Sequence, residues 1–130
     1  METYIINGQE FEYDTFDLEN MEVYDREIRR VAEAARAVDR KGLNENNYIS
    51  AIRARCMDVR DAFDIILGDG SADRIFGGRV NAKEILMTYQ QFVMDVNQTR
   101  ASLAQAIPTN AQPAGNRAQR READRARRNQ

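Results

Sequence analysis

The chain contains no histidine and only one cysteine among its 130 residues. These absences leave few groups suited to acid–base or nucleophilic catalysis. A metal site would have to consist of oxygen ligands alone, and no segment has the spacing of such a site. The lone Cys56 cannot form an internal disulfide, which indicates a reducing compartment. We therefore expect no enzymatic activity, no cofactor and no metal.

Long apolar runs are also absent. No segment approaches the roughly 20 apolar residues that a membrane-spanning helix requires. The N-terminus begins with the acidic Glu2 and lacks the basic region and apolar core of a signal peptide. With 42% hydrophobic and 31% charged residues, the chain suits one folded domain. We expect a cytoplasmic protein without a membrane contact.

Charge divides the chain into two parts. Residues 1–107 hold 13 Lys and Arg against 19 Asp and Glu, whereas residues 108–130 hold 6 against 2. The net charges are thus −6 and +4, and the amphipathic pattern ends at Pro108. We predict a single helical domain over residues 1–107 and a flexible basic tail over residues 108–130.

The basic tail has two interpretations, which the sequence leaves open. It is either a disordered terminus or an arm that becomes helical when it binds an acidic protein surface or nucleic acid. Nucleic acid is disfavoured because the domain is acidic and the tail has no aromatic residue for base stacking. The candidate partner-binding residues of the tail are Arg117, Arg120, Arg121, Arg125, Arg127 and Arg128.

Residues 2–13 have the pattern of a β-hairpin. Asn7-Gly8 is a favoured two-residue turn, and with it at the loop Tyr4 pairs with Phe11 and the apolar residues share a single face. That face should pack against helices, because an isolated hairpin is barely stable. Ile5 lies on the opposite face, where an exposed strand edge is a candidate surface for self-association. The predicted buried residues are Tyr4, Ile6, Phe11 and Tyr13.

Three long helices are predicted at about 17–41, 45–67 and 81–106. Apolar residues recur at alternating spacings of three and four, as expected where each helix faces a partner. Asn81 followed by Glu84 forms a capping-box pattern at the third start. The stripes are Met21, Tyr24, Ile28, Val31, Ala35 and Val38; then Ile49, Ile52, Cys56, Val59, Phe63 and Ile66; then Ile85, Tyr89, Phe92, Val96 and Leu103.

A glycine-rich connector joins the second and third long helices. It contains a predicted short helical turn at 71–76, for which Ser71 is the expected N-cap. Ile75 and Phe76 would plug the end of the bundle, and Phe76 is also a candidate partner contact. We therefore interpret the segment as a connector with an apolar anchor.

The same connector partly resembles a calcium-binding loop, with Asp69, Ser71 and Asp73 at alternate positions. Arg74 stands where that loop requires glycine, and Val80 stands where it requires glutamate. These differences argue against a calcium site. The predicted fold is mainly α, with an N-terminal β-hairpin packed on an antiparallel bundle of three long helices and a short connector helix.

Four segments together resemble a known group of proteins. They are the hairpin at 4–13, the helix start Phe-Asp-Leu-Glu-Asn-Met at 16–21, the connector at 69–81 and Asn-Arg-Ala-Gln-Arg-Arg at 116–121. The combination is similar to small tail-region proteins of phages and prophages of Gram-positive bacteria, many of which resemble tail assembly chaperones. The resemblance implies a helical module in the bacterial cytoplasm that coats the tape measure protein and recruits tail-tube subunits.

Two alternatives to a chaperone stay open at this point. One is a small phage effector that binds and inhibits a host protein, with an acidic body that imitates nucleic acid. The net charge of only −2 is modest for such mimicry. The other is a permanent tail or connector subunit of the phage particle.

Overall fold

A computed structural model describes residues 1–106 of the chain. The predicted fold is confirmed: it is mainly helical and begins with a two-stranded antiparallel hairpin. The predicted tail at 108–130, with its six arginines, lies outside the described residues. The elements are β1 (Glu2–Ile6), β2 (Gln9–Tyr13), α1 (Leu18–Lys41), α2 (Tyr48–Leu67), α3 (Ser71–Phe76) and α4 (Ala82–Ala106).

The hairpin has the predicted turn and register. Asn7 and Gly8 both have positive φ, 51° and 80°, as a tight hairpin turn of this type requires. Tyr4 pairs with Phe11, and the four predicted core residues of the hairpin are each at most 5% exposed. Ile5 is 61% exposed on the other face. The period of two along the strands therefore separates core from solvent as expected.

Local polar contacts determine where the first two helices begin. Asp17 caps α1 by accepting a hydrogen bond from the backbone N–H of Asn20 at 3.0 Å. Helix α2 begins at Tyr48, three residues later than predicted. The side chain of Asn44 explains the later start, because it accepts hydrogen bonds from the backbone N–H groups of Asn46 and Asn47 and forms a turn there.

Helix α1 is antiparallel to both other long helices, and α2 and α4 run in the same direction. Phe63 of α2 packs on Phe92 of α4, while earlier in both helices Cys56 and Ala82 line the same hollow. The connector makes this possible because it returns alongside α2, where Arg60 pairs with Asp73. A short loop after Leu67 would make α4 antiparallel to α2. The longer connector instead lets α4 begin beside the first half of α2 and run parallel to it.

One cluster of aromatic rings joins the hairpin to all four helices. Phe63 and Phe92 are central, with their ring centroids 5.4 Å apart. Most of the remaining contacts are edge-to-face, the favoured geometry for such pairs. The other members are Tyr4, Tyr13, Tyr24, Phe76 and Tyr89.

The predicted N-cap of the connector helix is wrong. Gly70, in the left-handed region at φ 88°, occupies the cap position, and Ser71 is the buried first residue of α3. The free backbone N–H of Ala72 instead donates to the carboxylate of Asp64 at 2.8 Å. A side chain from α2 thus caps α3, which ties the connector to the bundle.

The predicted capping box of α4 is half formed. Asn81 accepts a hydrogen bond from the backbone N–H of Glu84 at 2.9 Å, as expected. The carboxylate of Glu84 accepts from the side-chain amide of Asn7 at 2.9 Å. The same amide donates to the carbonyl of Ile75 at 2.9 Å. The hairpin turn is therefore bonded to both α3 and α4.

Candidate protein-binding surfaces

The apolar stripe of α2 is buried along most of its length but not at its start. Cys56, Val59, Phe63 and Ile66 are at most 8% exposed, whereas Ile49 is 67% exposed. The prediction that Ile49 faces a partner helix is wrong for the described residues. Helix α4 begins only at Ala82, beside Cys56, so the start of α2 extends beyond it.

Four exposed apolar side chains form a surface at this end, which we call the apolar tip. They are Leu43, Tyr48, Ile49 and Val80, with exposures of 47%, 53%, 67% and 51%. A hollow of about 390 Å³ lies between Leu43 and Ile49. A second hollow of about 200 Å³ lies between Ile49 and Val80, with Cys56 among its lining residues. The apolar tip is thus concave on both sides of Tyr48 and Ile49.

A groove of about 380 Å³ separates α1 from α4. The two helices meet at Tyr24, whose ring lies 6.1 Å from that of Phe92. Farther along α1, Ala32 and Ala35 have side chains too short to reach across to α4. The main apolar residues of this α1–α4 groove are Ile28, Ala32, Ala35, Leu86, Tyr89 and Val93.

A polar network joins α1 to α2 near the groove. Glu27 is only 5% exposed, and Arg30 donates to its carboxylate from Nε at 2.9 Å. Arg30 also donates to the carbonyl of Asp58 at 3.0 Å and lies 3.5 Å from its carboxylate. The hydrogen bond with Glu27 raises the pKa of Arg30. The charge of the buried Glu27 carboxylate is thereby balanced by the guanidinium of Arg30.

Three side chains of the groove itself carry polar groups: Arg55, Tyr89 and Gln90. Burial raises the pKa of Tyr89 to about 12, because the charged phenolate is disfavoured there. Arg55 also lines the groove, and its Nε atom is buried without a hydrogen-bond partner among residues 1–106. The groove is therefore mainly apolar, and the Nε atom of Arg55 is an unused donor in its wall.

The two predicted site residues that lie within residues 1–106, Phe76 and Ile5, are not on one surface. Phe76 is 6% exposed and packs on Phe63, so a partner reaches it only if α3 moves. Ile5 is exposed on the hairpin, and the six predicted arginines lie outside the described residues. Cys56 is 1% exposed, and burial raises the pKa of its thiol. Its position in the core agrees with a packing role.

The groove was not anticipated from the sequence, although a signal for it is present. Leu86 and Val93 lie seven residues apart and directly follow the core residues Ile85 and Phe92. They form a second apolar stripe beside the first. The combined apolar face of α4 is therefore wider than contact with one partner helix requires. Both side chains are only half-buried.

Residues 1–106 also lack two other kinds of feature, a metal site and a membrane-spanning helix. No group of three or more acidic or cysteine side chains in residues 1–106 is arranged to hold a metal ion. None of the described helices is both long and apolar enough to cross a bilayer.

Comparison with curated proteins gives no match, and comparison with solved structures gives none either. A family model does match residues 7–124, which is most of the chain. The chain therefore belongs to that family, which is described as a family of unknown function, DUF6673.

Proposed function

We propose that the protein is a helix-binding module and that it acts as a phage tail assembly chaperone. The observation that carries the proposal is the α1–α4 groove, which is apolar, open and bordered by two long helices. Grooves of this kind hold the apolar face of an amphipathic helix. The bound segment would take the place of a fourth helix and cover Ile28, Leu86 and Val93, which are now only half-buried.

The border of the groove suits partners of varied sequence. Met87 lines the groove and is 56% exposed. Met94 follows it seven residues later on α4 and is 58% exposed. Methionine side chains are flexible and polarizable, so they adapt to apolar surfaces of different shape. This property supports a client with many apolar helical segments, such as a tape measure protein, over a client with a single fixed epitope.

The phage assignment is supported by the sequence resemblance in the hairpin, connector and tail segments. In the proposed role the groove shields helices of the tape measure protein from aggregation in the bacterial cytoplasm. The basic tail recruits an acidic tail-tube subunit by charge complementarity. We propose no catalytic step.

The proposal is tested by purifying a tagged copy from cells that assemble the phage and identifying the co-purified proteins by mass spectrometry. Gln90→Arg would place a charge in the groove. Gln91→Arg is the matched control, because Gln91 is equally exposed but lies on the hairpin side of α4. We expect a long tape-measure-like protein with the wild type and the control, and at least about tenfold less with Gln90→Arg.

Three outcomes contradict the proposal. Equal recovery with both variants would exclude the groove as the binding site. Presence of the chain in finished particles would favour a permanent tail or connector subunit. A host protein as the main partner would favour an inhibitory effector.

A further inference from the structure

We propose that the apolar tip is a second binding surface and that its partner is an acidic, amphipathic helical segment of another protein. The inference goes beyond the α1–α4 groove, because the apolar tip lies where α1 and α2 extend past the start of α4. It rests on apolar exposure, local charge and shape.

The charge around the apolar tip is opposite to that of the rest of the domain. The segments that contain and flank the apolar tip, residues 39–56 and 79–83, hold 6 Lys and Arg against 2 Asp and Glu. Of these, Arg55 lines the α1–α4 groove, and Glu45 lines the first hollow of the apolar tip. The remaining described residues hold 7 against 17. Five of the six basic side chains are exposed: Arg40, Lys41, Arg53, Arg79 and Lys83. An apolar surface inside a basic border favours a partner with apolar and acidic residues.

The same charge argues against two other occupants. The tail of this chain carries a net charge of +4, so the basic border repels it. The apolar tip of a second copy carries the same sign and is repelled equally. An acidic segment of a different protein is the occupant that the electrostatics favour.

The shape of the apolar tip favours a helix over a flat surface. Hollows lie on both sides of Tyr48 and Ile49, and each can receive a side chain from a neighbouring turn of a bound helix. Exposed aromatic residues such as Tyr48 often provide much of the binding energy at interfaces. Arg53 lines the second hollow beside Ile49, where it can pair with a carboxylate of the partner.

The test uses the full chain and two fluorescently labelled synthetic peptides of about three heptads. Both carry leucine at the a and d positions, and the other positions are glutamate in one peptide and lysine in the other. By fluorescence anisotropy, we expect the acidic peptide to bind at least about tenfold more tightly than the basic peptide, because the α1–α4 groove accepts either peptide and the apolar tip accepts only the acidic one. Raising the salt from about 0.05 M to about 0.5 M should weaken binding at least about tenfold.

Two variants locate the binding site. Ile49→Asp should weaken binding of the acidic peptide at least about tenfold, whereas Ile65→Asp should not. Ile65 is the matched control because it is 51% exposed near the other end of α2. Both positions are exposed, and circular dichroism checks that both variants fold. In Gln90→Arg the preference for the acidic peptide over the basic peptide should persist, which separates the apolar tip from the groove.

Other results overturn the inference. Equal binding of the two peptides, or unchanged binding by Ile49→Asp, would exclude an acid-selective apolar tip. Loss of acidic-peptide binding only in Gln90→Arg would place the peptide in the groove. Self-association that Ile49→Asp abolishes would make a second copy the occupant. Sedimentation with phosphatidylserine vesicles, again abolished by Ile49→Asp and without peptide binding, would make it a lipid surface.

Discussion

The two ends of the α1–α2 pair have the same apolar periodicity but different surroundings. At one end Phe63 is 1% exposed and contacts the rings of α3 and α4. At the other end Ile49, on the same stripe, is 67% exposed. A heptad pattern therefore shows that a helix face can be buried, but not which element buries it. In this protein the uncovered part of the stripe belongs to a proposed interaction surface.

The largest expected difference between the two ends is in how much each contributes to the free energy of unfolding. Phe63→Ala should lower the free energy of unfolding by about 3–5 kcal/mol, because it removes the centre of the aromatic cluster. Ile49→Ala should change it by less than about 0.5 kcal/mol, since the side chain is exposed. Urea denaturation followed by circular dichroism measures both. Equal losses would show that the apolar tip is packed in solution.

A smaller loss is expected between the two ends, at the buried pair of α1. Arg30→Met should lower the free energy of unfolding by about 2 kcal/mol, because Glu27 is left buried without its partner. The loss is below that of a fully buried pair, since the side chain of Arg30 is 37% exposed. The double variant Glu27→Leu/Arg30→Met should recover most of it in the same assay. A double variant as unstable as the single one would mean that packing, not charge, explains the effect.

A third prediction concerns the Asn7 side chain, which bonds the hairpin turn to α3 and α4. Asn7→Gly keeps a residue that tolerates positive φ but removes the amide that bonds Ile75 and Glu84. We expect a loss of about 1 kcal/mol by thermal or chemical unfolding. Glu84→Ala should add little to it in a double variant, because the same contact is already broken. Additive losses would argue against this bridge.

The smallest effect concerns pH. The backbone N–H of Thr15 donates to the carboxylate of Glu2 at 2.9 Å, which lowers the pKa of Glu2. A lowered pKa means that the ionised form stabilises the fold. The contribution is complete above the unfolded pKa and is lost as pH falls through the folded value.

Glu2→Gln should therefore cost less than about 1 kcal/mol at neutral pH. The difference from the wild type should shrink as pH falls below 4.5, the ordinary pKa of a glutamate, and should disappear below the folded pKa. Denaturation curves at several pH values measure it. A difference that does not change with pH would exclude the carboxylate as its source.

Local sequence signals predicted the parts of the fold that local chemistry determines. Asn7-Gly8 was sufficient for the hairpin register, and Asn81 for the cap of α4. The cap of α3 was not predictable in this way, because Asp64 reaches it from another helix. The later start of α2 depends on side-chain bonds of Asn44 within a polar run.

The candidate surfaces were harder to predict because they depend on where other elements stop. Ile49 is exposed because α4 begins at Ala82, and Ala35 borders a groove because no side chain of residues 1–106 fills it. Neither fact follows from the periodicity of a single helix. The double stripe of Leu86 and Val93 is the one sequence feature that indicates the groove in advance.

The central claim, that the α1–α4 groove binds a helical client, is tested most directly by photo-crosslinking in the cells that produce the protein. A photoreactive amino acid is placed at position 90, in the groove, or at position 91, on the other side of α4. The account predicts a crosslink from position 90 to an apolar heptad segment of a long partner protein, and little from position 91. Equal crosslinks from both positions, or a crosslink from position 91 alone, would contradict it.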